Sequence, residues 1–283
     1  AMEHFTENLY RHPDAEHARE YVRSRGFKSQ IVKQMRLGFA LESWDDMLLT
    51  LGREGINAEL AREAGLVRPR EGGGVYDVFR NRIMFPIVDV TDRVVGFGGR
   101  TLDADNPAKY VNSEETPLFQ KRRMLYGLDV AVAAIKDAGH ALIVEGYTDV
   151  LALRQAGVEN AVAGLGTALT AEQLHLLARY CDEVVLIYDG DSAGANAALR
   201  NLEVLEGAKV SVSLVTLPEG MDPDDFVGQH GGDGLRELLE KRISPVDYQL
   251  TMIFAAHADK GADGRTRAAH EAVETLLKVL DYS

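Results

Sequence analysis

ALIVEGYTDVLALRQAGVENAVAGLGTALTAEQLHLLARYCDEVVLIYDGDSAGANAALR, residues 141–200, holds three short apolar runs, at 141–144, 161–163 and 184–188, each ending at glycines or acids. Between them lie segments of helical periodicity, so the stretch reads strand–helix–strand–helix–strand–helix. That alternation predicts an α/β fold, a parallel sheet with helices on both faces. In such sheets ligands bind beyond the carboxyl ends of the strands. What the sequence places there is acid: Glu145 after the first run, then Asp189 and Asp191 after the third. A fourth run, 210–216, leads into Asp222, Asp224 and Asp225. Carboxylates converging on one sheet edge repel one another in water, and divalent cations held between them explain the convergence.

The acids differ in whether a purely structural reading is open to them. Asp191 stands where an N-cap would open a helix near Ala193. Asp189 and Glu145 directly follow strands that should be buried, where a lone carboxylate is costly. Asp222 and Asp224 alternate around Pro223, which predicts an extended turn with both side chains in reach of one site, while Asp225 is placed to cap the following helix. Any single acid is ambiguous; five on one edge favour a metal site.

Size and composition narrow the class. A chain of 283 residues with 46% hydrophobic and 27% charged residues is that of a globular protein. No apolar run approaches the roughly 20 residues of a membrane helix and no secretory pattern opens the chain, so a cytoplasmic protein is expected. The single cysteine, Cys181, excludes an internal disulfide framework and reads as a small buried hydrophobe, and the eight histidines lack zinc-ligand spacing. The net charge of −13 hides an asymmetry: residues 1–127 carry 19 Lys+Arg against 19 Asp+Glu, so the whole excess, 12 against 25, lies in 128–283. An acidic half beside a neutral-to-basic half suits metal-dependent chemistry on a weakly held strand, not tight duplex binding.

Upstream, 14–24 has helical spacing and stops at Gly26. Short helices are expected at 44–51 and 57–64, and Trp44, heading the first, reads as core rather than as a nucleotide-stacking platform. RPREGGG, 68–74, reads as a flexible linker. Residues 83–90 and 94–98 form a hairpin around Thr91-Asp92-Arg93, with Pro86 marking an edge or a bulge. Arg80, Arg82 and Arg100 frame that hairpin, and Gly98-Gly99 would let a ligand backbone approach. Lys109, Tyr110, Asn112 and Lys121 follow. Thr170 to Gln173 is a capping box, and Gly164 to Thr167 is a plain turn or a phosphate-facing loop. From 231 onward helical periodicity returns, at 235–241, 245–256 and 267–280.

Glu145-Gly146 after one strand and Asp189-Gly190-Asp191 after another resemble the Toprim signature of primases, topoisomerases and some nucleases. VEGYTDV, YDGDSAGANAA and LPEGMDPDDF are similar to bacterial replicative (DnaG-type) primases. So, in the same order, are AREYVRSRGF, QMRLGFA, FRNRIMFPI, GFGGRTL, AKYVNSEETPLFQK and LYGL upstream. The resemblance runs from about 16 to about 227. It implies an RNA-polymerase core of three parts: a mixed α+β subdomain (1–127), a Toprim metal-binding domain (128–228) and a helical subdomain (229–283).

It further implies primer synthesis on single-stranded DNA from nucleoside triphosphates. Mg²⁺ or Mn²⁺, two or more ions and no zinc, would be held by Asp189 and Asp191 with Asp222 and Asp224, and Glu145 would be ligand or general acid/base. Arg25, Arg80, Arg82, Arg100, Lys109, Tyr110, Asn112 and Lys121 would form a basic ridge for template and nucleotide. From the residues alone, Arg25 reads better as a cation at a helix C-terminus, and only the resemblance brings the two readings level; the Arg100–Lys109 spacing is one residue longer than the family's. The family's zinc-binding and helicase-binding domains are not among these residues, so a helicase partner is expected only through the latter. The competing classes are a Toprim nuclease and a non-catalytic Toprim repair module.

Overall fold

The computed structural model describes residues 1–166, 169–188 and 210–281. One buried apolar cluster runs between its two principal sheets, and each sheet has a further cluster of its own. The first sheet is antiparallel, in the order β1 (Gly38–Ala40), β4 (Arg82–Val88), β5 (Val94–Thr101), β6 (Tyr110–Asn112). Helices α1 (Met2–Arg11), α2 (Glu16–Ser24) and α3 (Ser29–Gln34) precede it. The second is the parallel sheet expected from the alternation, in the order β10 (Ser211–Thr216), β9 (Glu183–Tyr188), β7 (His140–Val144), β8 (Ala161–Ala163). Around it stand α6 (Leu128–Ala138), α7 (Tyr147–Gln155) and α8 (Ala171–Leu177).

Beyond the sheet lie α9 (Pro223–Leu239), α10 (Pro245–His257) and α11 (Gly261–Asp281). α9 is broken at Gly231, whose φ of 69° only glycine adopts readily, so the chain turns there from the sheet toward the terminal helices. Among the described residues no helix is long and apolar enough to cross a membrane.

The apolar core does not stop at the boundary between the halves. Phe39, Ile83 and Phe85 of the first sheet belong to the same buried cluster as Leu142, Val144, Val185 and Ile187 of the second. Tyr126 stitches the two backbones together, exchanging hydrogen bonds with Ala163 at 2.9 and 3.1 Å. Tyr147 completes the seam. Its buried ring stacks on Phe85 at 4.9 Å and meets Tyr126 edge-on at 4.7 Å. Aromatic contacts of this kind each add about 0.5–1.5 kcal/mol beyond area burial.

Several local expectations are met for the reasons given. Thr170 Oγ1 accepts from the N–H of Gln173, and Gln173 Oε1 accepts from the N–H of Thr170, closing the capping box. Cys181 is buried. Pro86 satisfies both its readings. β1 pairs β4 only across Arg82 to Met84, so at Pro86 that side carries no ladder, and the register shifts one residue on, between Ile87 and Val88.

Two expectations are corrected. RPREGGG is no linker: β2 (Val67–Pro69) and β3 (Val75–Asp77) pair antiparallel across it. Gly72, Gly73 and Gly74, at φ of 92°, 106° and 79°, make the reversal that linker composition alone does not distinguish from flexibility. Nor does Gly98-Gly99 leave space for a ligand. A Cβ on Gly98 would stand 2.7 Å from Cε2 of Tyr147, and one on Gly99 2.9 Å from Cδ1 of Phe79. The missing side chains admit the protein's own rings.

The hairpin turn is tied by Asp89. Its carboxylate accepts from the N–H of Thr91 at 2.8 Å, the Thr91 hydroxyl at 2.6 Å and the Arg93 guanidinium at 2.7 Å. Burial would raise this carboxyl, but those donors outweigh it and hold it well below the ordinary carboxylate range. A carboxyl depressed in the folded state stabilises the fold above its unfolded value of about 3.9, and the contribution is lost as pH falls below that. Asp89→Asn is therefore expected to lower the thermal midpoint at pH 7, with the gap to the parent closing on acidification below about pH 4.

Candidate active site and nucleic-acid face

The carboxyl ends of the parallel strands share one edge. Glu145 directly follows β7 there and is exposed, and Gly146 begins the turn into α7, its N–H donating to Asp149 Oδ2 at 2.8 Å. Tyr188 ends the adjacent β9; burial raises its phenol, with the Glu145 charge adding to the effect. Asp189 and Asp191 follow Tyr188 in the chain and lie outside the described residues.

β10, aligned with β9 through Thr216↔Tyr188, delivers the chain to Asp222 and Asp224. These two do not alternate in an extended turn as expected. Asp222 is the N-cap of α9, its Oδ1 accepting from the N–H of Asp225 at 2.8 Å, and Asp224 lies in the first helical turn. Pro223 is the reason: its fixed φ suits the first helical position and its missing N–H would have no partner there. Asp225, expected as the cap, is instead the residue capped. Burial lifts the Asp224 carboxyl above its ordinary value despite the Arg25 guanidinium beside it, and Asp222 and Asp225 add like charge. Among the described residues no three acids, histidines or cysteines form a metal-holding group.

The candidate basic residues separate into distinct environments. Arg25, at the C-terminus of α2, forms an ion pair with Asp224, 199 residues away, joining the helical start of the chain to the acid edge. Arg100 on β5 lies opposite Tyr110 on β6, with its guanidinium 4.3 Å from the ring centroid of Tyr21. Lys109 and Tyr110 are exposed beside it. Lys121 belongs to a short 3₁₀ turn docked on α8, where Gln173 Nε2 donates to the carbonyls of Lys121 and Met124 at 3.2 and 2.9 Å.

Asn112 is bound on both sides: Oδ1 accepts from the Tyr147 hydroxyl at 2.6 Å and Nδ2 donates to the Leu165 carbonyl at 2.8 Å. It ties the basic strand to the loop after β8. Arg82 is 6% exposed, and its Nη1 donates to the carbonyls of Gly99 and Ala108 at 3.1 and 3.0 Å. Its contribution here is to hold the segment that presents Lys109.

Arg80 belongs to another cluster, which sequence reasoning missed. Trp44, expected in the core, is 56% exposed. The Arg80 guanidinium stacks 4.1 Å from its ring centroid, with Tyr76 and Arg70 alongside. Trp44 is held outward because its carbonyl accepts from the Asp77 N–H at 2.8 Å, while the Asp77 carboxylate caps α4 (Asp46–Arg53) through Met47 and Leu48. An exposed tryptophan framed by two arginines and a tyrosine is a surface on which a base can stack.

A parallel sheet with an acid edge, beside a second sheet that carries basic and aromatic residues, is the arrangement of a Toprim-containing fold. Comparison with known proteins agrees with both parts. Residues 4–132 match the DNA primase catalytic core, N-terminal domain, and residues 142–227 match the Toprim-like family. The chain belongs to the bacterial DnaG-type primase catalytic-core family.

The DNA primase of Clostridium acetobutylicum is 41% identical over 84% of this chain and 39% of its own. That of Salmonella typhimurium is 40% identical over 97% and 48%. The chain thus spans less than half the length of these relatives. A DNA primase domain from Pseudomonas aeruginosa is 38% identical with a TM-score of 0.87, over 98% of this chain and 88% of that one. A DnaG primase catalytic domain bound to ssDNA is 36% identical with a TM-score of 0.83, over 97% and 86%.

Proposed function

We propose that this chain is the polymerising core of a primase, extending short RNA on single-stranded DNA from nucleoside triphosphates. The observation that carries the reading is the Arg25–Asp224 contact, where the acid edge of the parallel sheet meets the face bearing Arg100, Lys109 and Tyr110. Nucleotidyl transfer needs both surfaces within one nucleotide's reach. Mg²⁺ or Mn²⁺ held by Asp189 and Asp191, with Glu145, Asp222 and Asp224 around them, would activate the primer hydroxyl and neutralise the departing pyrophosphate.

Arg25, Arg100, Lys109 and Lys121 bind phosphates of nucleotide and template in this account. The three-part division at 127/128 and 228/229 assigns this binding to the first part and the metal chemistry to the second. The relative solved with single-stranded DNA supports a single strand as the partner.

The Trp44, Tyr76 and Arg80 cluster then serves as a platform for unpaired template bases. Trp44→Ala is expected to weaken binding of a labelled oligodeoxythymidylate roughly tenfold at fixed salt, within the range of about 1–3 kcal/mol per stacked base. Its exposure means the thermal midpoint should barely move. Parental affinity in a titration by fluorescence anisotropy would remove the template from this cluster.

A further inference from the structure

Tyr21 lies on α2 one turn before Arg25, whose backbone N–H donates to the Tyr21 carbonyl at 3.1 Å. Its ring packs against the Arg100 guanidinium at 4.3 Å, and the Tyr110 ring approaches the same guanidinium at 6.0 Å. Among the described residues the Arg100 guanidinium makes one hydrogen bond, a long 3.4 Å contact from Nη1 to the Thr101 carbonyl. An arginine placed by ring stacking rather than by a carboxylate is oriented while its N–H donors stay available for an anion.

The Tyr21 hydroxyl oxygen is buried and has no hydrogen-bond partner among the described residues. The charged and titratable groups around it are Arg100, Tyr110, Arg25 and Asp224. Burial, opposed by the Arg100 charge, keeps the phenol above its ordinary value, so it remains a donor at neutral pH. A buried hydroxyl without a partner destabilises a fold, and phenylalanine would fill the same space without that loss. What surrounds this donor is two arginines and a carboxylate already paired to one of them, an environment suited to an anionic acceptor.

We propose that Tyr21 is a positioning residue of the nucleotide face: its ring sets the plane of the Arg100 guanidinium, and its hydroxyl donates to a phosphate oxygen once the arginines around it engage the nucleotide. The proposal rests on the nucleotide-binding reading above. Its test is Tyr21→Phe, measured by calorimetric titration with α,β-methylene-ATP and Mg²⁺ and by thermal unfolding of the ligand-free protein. The expected result is opposite signs: an unchanged or higher thermal midpoint, but affinity lower by roughly five- to twentyfold. KM for nucleotide rises in parallel and kcat is little moved.

Tyr21→Leu, which also removes the ring, weakens binding further, and combining it with Arg100→Ala adds little to Arg100→Ala alone. Parental affinity in Tyr21→Phe, or a lowered midpoint without ligand, would overturn the role of the hydroxyl, and Tyr21→Phe alone decides that point if Tyr21→Leu does not fold. Parental affinity in both Arg100→Ala and Lys109→Ala would instead overturn the nucleotide-binding reading itself.

Discussion

Glu145→Gln is expected to reduce RNA synthesis by roughly 10²–10⁴-fold while leaving the thermal midpoint within a degree or two of the parent. The two effects separate because of where the residue stands. β7 is buried through Val144, and the chain emerges at Glu145, whose side chain is exposed at the strand's carboxyl end. Exchanging an oxygen for an amide there keeps the size and shape of an exposed side chain, but it removes a charge from the edge where the cations are proposed to bind. The same variant separates the two roles left open for Glu145. A metal ligand shows partial rescue as Mn²⁺ is raised, because the lost affinity is restored by mass action. A general acid/base shows no rescue and loses one limb of the pH–rate profile.

The largest expected structural effect lies on the neighbouring sheet, at Gly98→Val. Strand preference favours valine over glycine by up to about 1 kcal/mol. Packing opposes it more strongly. The first added carbon already meets the Tyr147 ring, and that ring cannot withdraw: Phe85 lies on one face, the edge of Tyr126 is against it, and its hydroxyl holds Asn112. Inserting methylenes into such a core typically costs about 1–3 kcal/mol, and valine brings three carbons. A net loss of about 3 kcal/mol lowers the midpoint by roughly 6–12 °C. Because Asn112 links β6 to the loop after β8, displacement of Tyr147 also loosens the basic strand from the parallel sheet. Nucleotide affinity should fall with stability. A midpoint equal to the parent's would show that the seam yields, and that Tyr147 does not fix the two sheets together.

The parallel sheet was legible because two signals coincide in one stretch: apolar runs of strand length, and helical spacing between them closed by glycine. Glu145 was legible for the same reason, since a charge directly after a buried run has only the strand's end to occupy. The first half was harder. Arg80, Arg82 and Arg100 look alike in sequence, yet one stacks on Trp44, one is buried against main-chain carbonyls and one stacks on Tyr21. Strand alternation sorts residues into faces but does not say which face another sheet covers.

Trp44 was misplaced because its position heading a helix is also that of a core residue; the capping of α4 by Asp77 from a distant strand turns it outward. The Arg25–Asp224 pair and the Asn112 bridge join residues far apart in the chain, and no local pattern announces them. Asp222 shows a smaller limit. Pro223 was visible, but reading it as a turn rather than as the first residue of a helix moved the cap by three positions.

The account's central claim is that these two surfaces together polymerise RNA. It is tested most directly by supplying single-stranded DNA and labelled nucleoside triphosphates with Mg²⁺ or Mn²⁺, and by running Glu145→Gln and Asp189→Asn beside the parent. The account expects short RNA products from the parent and none from either folded variant. Metal-dependent loss of the DNA strand without any RNA, or undiminished RNA from folded Asp189→Asn, would contradict it.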